Sequence, residues 1–381
     1  MTADKERKNL RTWVEIDKKA IAHNYRVFRT LIGKKVKMLG VIKSNAYGHN
    51  LLEFGGVLEK LGVNWLGVDS LVEAISVRQQ KVKVPILVLG YTLPAMYDAA
   101  RKQSISVTVS NFTALKAAMK LTYEKKPLRI HVKIDTGMHR QGFQLGEQKQ
   151  LLDILSRKKN NILIEGLYTH FAQAKDLRDR DFTNRQIKEF DLWIKAFHEW
   201  GLTPIVHASA TSGALAFPLA RYDMVRIGIG LYGIWPSSLI ERGLAHKITL
   251  KPVLSWKAVV SEVKSVAKGE RIGYDRTELL QHDSCIAIIP VGYWHGFPRL
   301  LSSKGRVLIH GKTARVLGRV SMDMIVVDVT DIKDIAEGDI ATIIGSDKKE
   351  VIHARELAEL SLTTPYEIVT RLNPLMKRIY I

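Results

Sequence analysis

Residues 40–50 read GVIKSNAYGHN, so a lysine, Lys43, directly follows an apolar, β-branched run. A lysine there admits two readings. Its stem can line a cavity while its head reaches solvent. Alternatively, a desolvated amine of lowered pKa can form a Schiff base with an aldehyde cofactor. Position alone leaves both open. Polar residues also end the other apolar runs: Asp69, Lys133, Asp135–Arg140, His170, Ser209–Ser212 and Arg226–Gly228. Acids, bases and anion-binding cations of this kind do chemistry only if the fold brings the run ends together.

Eight such runs occupy the first ~235 residues: VKMLGVIKSNA (36–46), WLGVDS (65–70), VPILVLGY (84–91), ISVTVS (105–110), LRIHVKIDTG (128–137), ILIEGLYTH (162–170), PIVHASA (204–210) and MVRIGIGLYG (224–233). Segments of helical character lie between them, such as NRQIKEFDLWIKAFHEWG, whose apolar residues recur at helical spacing before Gly201. The alternation predicts an α/β fold, an N-terminal (β/α)8 TIM-like barrel over 10–240. A barrel brings its strand ends to one mouth, and no GxGxxG follows the first run, which disfavours an open dinucleotide-binding sheet. From 241 to 381 short β-rich runs separated by glycine-containing turns predict a mainly-β domain, with little helix before HARELAEL (353–360). The run LRTWVEID (10–17) has strand propensity and is expected to join that C-terminal domain.

Of the 381 residues, 46% are hydrophobic and 25% charged, the balance of a globular protein large enough for two domains. No run approaches the roughly 18 apolar residues of a membrane span, and MTADKERKNLRTW lacks the apolar core of a signal peptide. A cytoplasmic location without membrane association is the expectation. A single cysteine, Cys285, excludes an intrachain disulfide, and its apolar neighbours predict a core position. No Cys/His spacing suggests a metal site. The net charge of +20 could serve nucleic acid. The lysines are scattered, however, with no aromatic-interleaved basic stripe, so no nucleic-acid partner is expected.

The run Lys43-Ser44-Asn45-Ala46-Tyr47-Gly48-His49 resembles the cofactor-lysine signature of the alanine racemases, fold-type III pyridoxal-phosphate enzymes. IDTGMHRQGF (134–143), LYTHFAQAKD (167–176), MVRIGIGLYG (224–233), IGYDRTEL (272–279), PVGYWHGFPR (290–299), GRVSMDM (318–324) and TPYEI (364–368) are similar to further family segments, in family order along essentially the whole chain. The resemblance implies interconversion of L- and D-alanine, the D isomer feeding peptidoglycan synthesis. It also implies a homodimer whose active sites combine one subunit's barrel with the other's β domain. Racemisation removes the Cα proton on one face and returns it on the other, so two bases are required. By resemblance these are Lys43 and Tyr274 of the partner subunit, with His170 and Arg226 supporting the phenolate. Arg226 is further implied to face the pyridine nitrogen of pyridoxal 5'-phosphate. Tyr47, Ser212, Gly228, Ile229 and Tyr366 are implied to bind the cofactor, and Arg140 with the backbone around Met322 to bind the substrate carboxylate. Lys133 corresponds to a lysine carbamylated in some members; a plain paired lysine is the alternative.

The chain departs from the family pattern at Asn50, Thr211, Asp275, His295 and Ser321. His295 replaces an aspartate in a loop near the implied entrance and is expected to alter charge there, leaving a racemase for serine or a cationic amino acid as the alternative. A fold-type III decarboxylase fits less well, because it would lack the Tyr274 base. A basic nucleic-acid-binding protein on this scaffold would have no use for Lys43, Tyr274, Arg226 and Arg140 together.

Overall fold

The computed structural model describes residues 6–122, 124, 126–157 and 161–381. The chain forms two compact units, one comprising Ile21–Ala46 and Leu51–Lys251, the other Met1–Ala20, Tyr47–Asn50 and Pro252–Ile381.

Strand β1 (Thr12–Ile16) belongs to the second unit, and the next eight strands form the first. These are β2 (Lys37–Val41), β3 (Trp65–Val68), β4 (Ile86–Val88), β5 (Ile105–Val109), β6 (Leu128–Lys133), β7 (Ile162–Tyr168), β8 (Ile205–His207) and β9 (Met224–Ile227). All pair in parallel, in the order β8-β7-β6-β5-β4-β3-β2-β9. A bridge between Ala210 and Arg226, with the Asp223 amide donating to the Val206 carbonyl at 3.1 Å, draws the two ends of that order together. Parallel strands are covered on both faces, so they read as continuous apolar runs; every residue of β3, β4 and β5 is buried. Lys18–Ile32, Gln148–Leu155 and Asp181–Glu199 are amphipathic helices. In Asp181–Glu199 the buried Gln186, Phe190, Trp193 and Phe197 lie on one stripe. Ser70 caps Leu71–Gln79 by accepting from the Glu73 amide.

Each strand is shorter than its apolar run, because the last residues of the run turn away to form the barrel mouth. In the first run β2 ends at Val41, and Ser44 to Tyr47 all take left-handed backbone with φ between 51 and 55°.

The second unit continues with β10 (Leu254–Val259), β11 (Glu262–Val266), β12 (Arg271–Ile272), β13 (Glu278–Leu279), β14 (Ser284–Ile289), β15 (Arg306–Ile309), β16 (Lys312–Leu317), β17 (Ile325–Asp328), β18 (Ile340–Asp347), β19 (Glu350–Ile352) and β20 (Arg378–Tyr380). The main sheet runs β11-β14-β17-β16-β15-β18-β10-β1-β20, so the N-terminal strand pairs antiparallel with β10 and parallel with β20. Cys285 departs from the core position expected of it. It is half-buried on β14, while its neighbours Ser284 and Ile286 face inward.

Tyr47–Asn50 belongs to this unit through main-chain acceptors: Arg378 Nε donates to the Gly48 carbonyl at 3.0 Å and the Tyr380 hydroxyl to the His49 carbonyl at 2.7 Å. Gly48 has φ +82°, and a Cβ there would meet the Val369 carbonyl oxygen at 2.0 Å. Gly48→Ala should therefore lower stability by about 2 kcal/mol or more, combining left-handed strain with a backbone clash. Urea denaturation checks this, and a variant within about 0.5 kcal/mol of wild type would show that the contact is not rigid.

Candidate active site

The left-handed turn after β2 needs bracing, since each non-glycine residue in that region costs about 1–2 kcal/mol. Glu73 supplies the brace. Its Oε1 accepts from the Asn45 amide at 3.2 Å and its Oε2 from the Asp69 amide at 2.8 Å, tying the ends of β2 and β3 together. Asn45 in turn accepts from the Leu51 amide at 2.9 Å. Lys43 stands at the start of this turn, half-exposed, with Nζ 3.3 Å from Asp69 Oδ1. An exposed pair of that kind holds weakly, so the amine can move.

Arg226, at the inner end of β9, is buried. Nη2 donates to the carbonyls of Thr169 (2.8 Å) and Ala208 (2.7 Å) and to His170 Nδ1 (3.1 Å); Nη1 donates to His207 Nδ1 at 2.7 Å. Burial lowers the guanidinium pKa to about 10, which still leaves it charged at neutral pH. A guanidinium only donates, so Nδ1 of both imidazoles must accept and each proton sits on Nε2. His170 is accordingly neutral: burial first, then the charges of Arg226, Lys133, Arg140 and Lys43, hold it well below the ordinary imidazole range.

Lys133 ends β6 with Nζ 3.2 Å from Gln141 Oε1 and 5.5 Å from the centre of the Tyr168 ring. Burial, then Arg140 and Arg226, bring its amine down to about 8. The following loop wraps around Asp135, whose Oδ1 accepts from the amides of Gly137, Met138 and His139 at 2.9–3.0 Å, and so presents Arg140 in solvent. Lys43, Lys133, Arg140, His170 and Arg226 thus converge on one strongly cationic mouth.

The phosphate-binding candidates Ser212, Gly228 and Ile229 also meet in this unit. Helix Thr211–Ala216 begins at Ala210, which has no side chain to cap it, and Ser212 lies in its first turn. The Gly228 amide donates to Thr211 Oγ1 at 3.1 Å, which sets the short helix Ile229–Tyr232 beside it. Amide donors at two adjoining helix starts, in the same barrel as a cationic mouth with a weakly held amine, suit a phosphorylated aldehyde.

In the other unit, Tyr47 and Tyr366 lie with ring centres 6.1 Å apart, and burial raises the Tyr366 phenol to about 12. Tyr274 occupies a tight turn and is 68% exposed. Asp275 beside it has φ 59°, a conformation aspartate tolerates better than most residues, and is braced by Arg319 Nε at 2.7 Å. Met322 is exposed, its carbonyl accepting from the Trp294 amide at 3.0 Å. His295 corrects its sequence-based expectation. It is buried and accepts from the Gly292 amide through Nδ1, and burial followed by Arg11 lowers its pKa, so it adds no charge to a loop surface.

Residues assigned no role from the motifs complete the site: Glu73, Thr211 (noted only as a departure from the family pattern), Tyr168, and the buried imidazoles His131 and His207. The signal for the last three was present, since His131 lies within β6 and Tyr168 and His207 close β7 and β8, and a polar residue of a parallel strand covered on both faces has no solvent to face. No group of three or more histidine, cysteine or acidic side chains able to hold a metal occurs among the described residues.

An amine, guanidinium groups and a neutral imidazole thus gather at the carboxyl ends of barrel strands, where barrel enzymes place their sites, in a chain that also carries a mainly antiparallel β unit. Residues 16–236 match the alanine racemase N-terminal domain and residues 253–380 the alanine racemase C-terminal domain. The chain belongs to the alanine racemase family. It is 38% identical over 374 residues to an alanine racemase of Halothermothrix orenii, covering 97% of this chain and 96% of that one. It is 36% identical to that of Methanococcus maripaludis, with 97% and 98% covered. Among solved structures, Bacillus anthracis alanine racemase with bound L-Ala-P aligns at TM-score 0.91 and 33% identity, covering 97% of this chain and 95% of that one.

His131 and His207 are fully buried, and burial, as the first cause, depresses both imidazoles below 6.5. As pH falls through 6.5, the unfolded chain takes up protons that these imidazoles refuse in the folded barrel. Stability should then drop by up to about 1.4 kcal/mol per pH unit for each imidazole. Urea denaturation at about pH 7.5 and 5.5 measures this. Unchanged stability would mean that both imidazoles protonate in the native barrel.

Proposed function

We propose that the chain interconverts L- and D-alanine with pyridoxal 5'-phosphate as cofactor, by proton transfer between two bases at Cα. One observation carries the reading: Lys43 after β2, Lys133 at the end of β6, Arg140 in the loop that follows and Arg226 on β9 surround His170, whose Nδ1 lies 3.1 Å from Arg226 Nη2, with the amide donors at the starts of Thr211–Ala216 and Ile229–Tyr232 in the same barrel. When bound, the cofactor withdraws electrons from Cα and makes its hydrogen acidic.

Lys43 holds the cofactor through Nζ and, as a free amine, takes or returns the Cα proton on one face. Tyr274 of the partner subunit serves the opposite face; its exposure suits a residue used by another chain. Neutral His170, with its proton on Nε2, and cationic Arg226 favour the phenolate. Arg226 has donors only, so it leaves the ring nitrogen unprotonated and limits side reactions that need charge spread into the ring. Ser212, Gly228, Ile229, Tyr47 and Tyr366 bind the cofactor, mainly at its phosphate. Arg140 and the Met322 backbone of the partner subunit take the substrate carboxylate. The lowered pKa of Lys133 suits carbamylation. Its neutral amine adds to the carbon of carbon dioxide and releases one proton, and the carbamate anion then positions Arg140.

The protein works as a homodimer with composite sites, acts in the cytoplasm and supplies D-alanine for peptidoglycan. No helix among the described residues is long and apolar enough to cross a membrane.

Purified protein supplied with pyridoxal phosphate should convert L-alanine to D-alanine in a chiral assay; folded, cofactor-loaded protein that forms none would sink the reading. Lys43→Ala should lose the visible absorption of the bound cofactor and roughly a thousandfold or more in rate. Tyr274→Phe should keep the absorption while losing about 10²–10⁴-fold in both directions. Near-normal turnover in Tyr274→Phe would mean that another group serves the second face.

A further inference from the structure

Behind Arg226, three ionisable side chains stand in line through the barrel interior, and none of them has a part in the proton transfer above. His207 Nε2 lies 2.9 Å from His131 Nδ1, and His131 Nε2 lies 3.6 Å from Glu165 Oε2. The first distance is a hydrogen bond; the second is the looser approach of an N–H to a carboxylate. Arg226 can only donate, so His207 accepts at Nδ1 and donates from Nε2. His131 therefore accepts at Nδ1 and points its own Nε2 proton at Glu165. The polarity of the line is fixed by two ends that cannot reverse, a guanidinium and a carboxylate.

Three features of the chain serve this line and little else. The β6–β7 register passes from Ile130 opposite Ile164 to His131 opposite Gly166, leaving Glu165 as the extra residue of a bulge. A bulge re-aims a side chain, here toward His131 and Ser106, and the Glu165 side chain is only 10% exposed. Gly166 makes room, because a Cβ there would meet His131 Nδ1 at 2.0 Å. Ser106 donates to Glu165 Oε2, and Arg129 Nη1 to Oε1 at 2.6 Å. The rings are fixed from the side as well. His207 stacks on Tyr168 with centres 4.7 Å apart, and Trp65 meets His131 edge-on at 5.3 Å. Backbone carbonyls alone could satisfy a buried guanidinium, so a carboxylate delivered by a bulge calls for another explanation.

We propose that Glu165 is a positioning residue for racemisation: through His131 and His207 it fixes Nη1 of Arg226 and so holds the guanidinium in place at the cofactor ring. This rests on the pyridoxal-phosphate reading of the barrel mouth. Burial would raise the Glu165 carboxyl, but His131, Ser106 and Arg129 outweigh it and bring it to about 2, so the end of the line stays anionic. Burial keeps both imidazoles neutral against the opposing pull of Glu165 on His131. If Glu165 is made neutral and able to donate, His131 can carry its proton on Nδ1. That proton would face the Nε2 proton of His207, and relieving the conflict turns a His207 proton toward Arg226, which loses its 2.7 Å acceptor.

Glu165→Gln is the test, with His131→Gln as a second variant that interrupts the line one residue earlier. Nitrogen-15 NMR of the imidazoles in cofactor-free protein should show His131 and His207 as Nε2–H tautomers in wild type and as mixed tautomers in Glu165→Gln. In the loaded enzyme, kcat should fall about tenfold or more, with KM for L-alanine within about threefold and the cofactor's visible absorption shifted. His131→Gln should reproduce the kcat loss. Either variant, folded, with kcat within about twofold of wild type and His207 still the pure Nε2–H tautomer, overturns the proposal. A wild-type protein inactive on alanine would sink the functional reading instead, and the tautomers would still decide whether Glu165 sets the polarity of the line.

Discussion

A guanidinium buried at the centre of a parallel barrel is the constraint around which the site is organised. Leaving such a cation without partners would cost several kcal/mol, so acceptors must come from the strands around it. They come from the ends of β7 and β8: the carbonyls of Thr169 and Ala208, and the imidazoles of His170 and His207. Because Arg226 only donates, it favours the Nε2–H tautomer of both imidazoles. It thereby leaves His170 with an Nε2 proton and no charge. The chemistry available at the mouth follows from that one fixed charge and from the side chains that must answer it.

The second organising feature is strain at Lys43. Four successive left-handed residues are held by Glu73, Asn45 and main-chain bonds, and they turn the chain abruptly away from the strand just after the lysine. An amine at such a point is anchored at its Cα while its tip is held only by the exposed pair with Asp69, which suits a group that must both hold a cofactor and exchange a proton. Its cationic neighbours act on Lys133 and His170 in the same sense, disfavouring further positive charge. A mouth of this kind gathers anions, and the proposed cofactor and substrate carry a phosphate and a carboxylate.

Much of this was legible in the amino-acid order. Each of the eight apolar runs contains a barrel strand, because strands covered on both faces leave a continuous signature. Lys43, Lys133, His170 and Arg226 were visible as polar residues closing those runs. What periodicity could not show was the backbone: the left-handed turn at Ser44–Tyr47 and the bulge at Glu165 depend on hydrogen bonds from distant segments. His295 was expected to alter charge at the implied entrance because it replaces the family's aspartate there, yet it turns inward to accept from its own main chain. Cys285 looked like a core residue because its neighbours are apolar, but the alternation along β14 leaves it half-buried. The net charge of +20 has no counterpart in the site beyond its few cations.

Two bases on opposite faces of Cα imply that the proton removed is not the proton returned. The direct measurement is racemisation of L-alanine in deuterium oxide, stopped early, with the Cα hydrogen of both isomers read by mass spectrometry after chiral separation. D-alanine carrying deuterium at Cα, beside residual L-alanine that is still largely protiated, is the result expected of Lys43 and Tyr274 acting on opposite faces. D-alanine that keeps the original hydrogen would require a single group to carry it from one face to the other, and would contradict the two-base assignment.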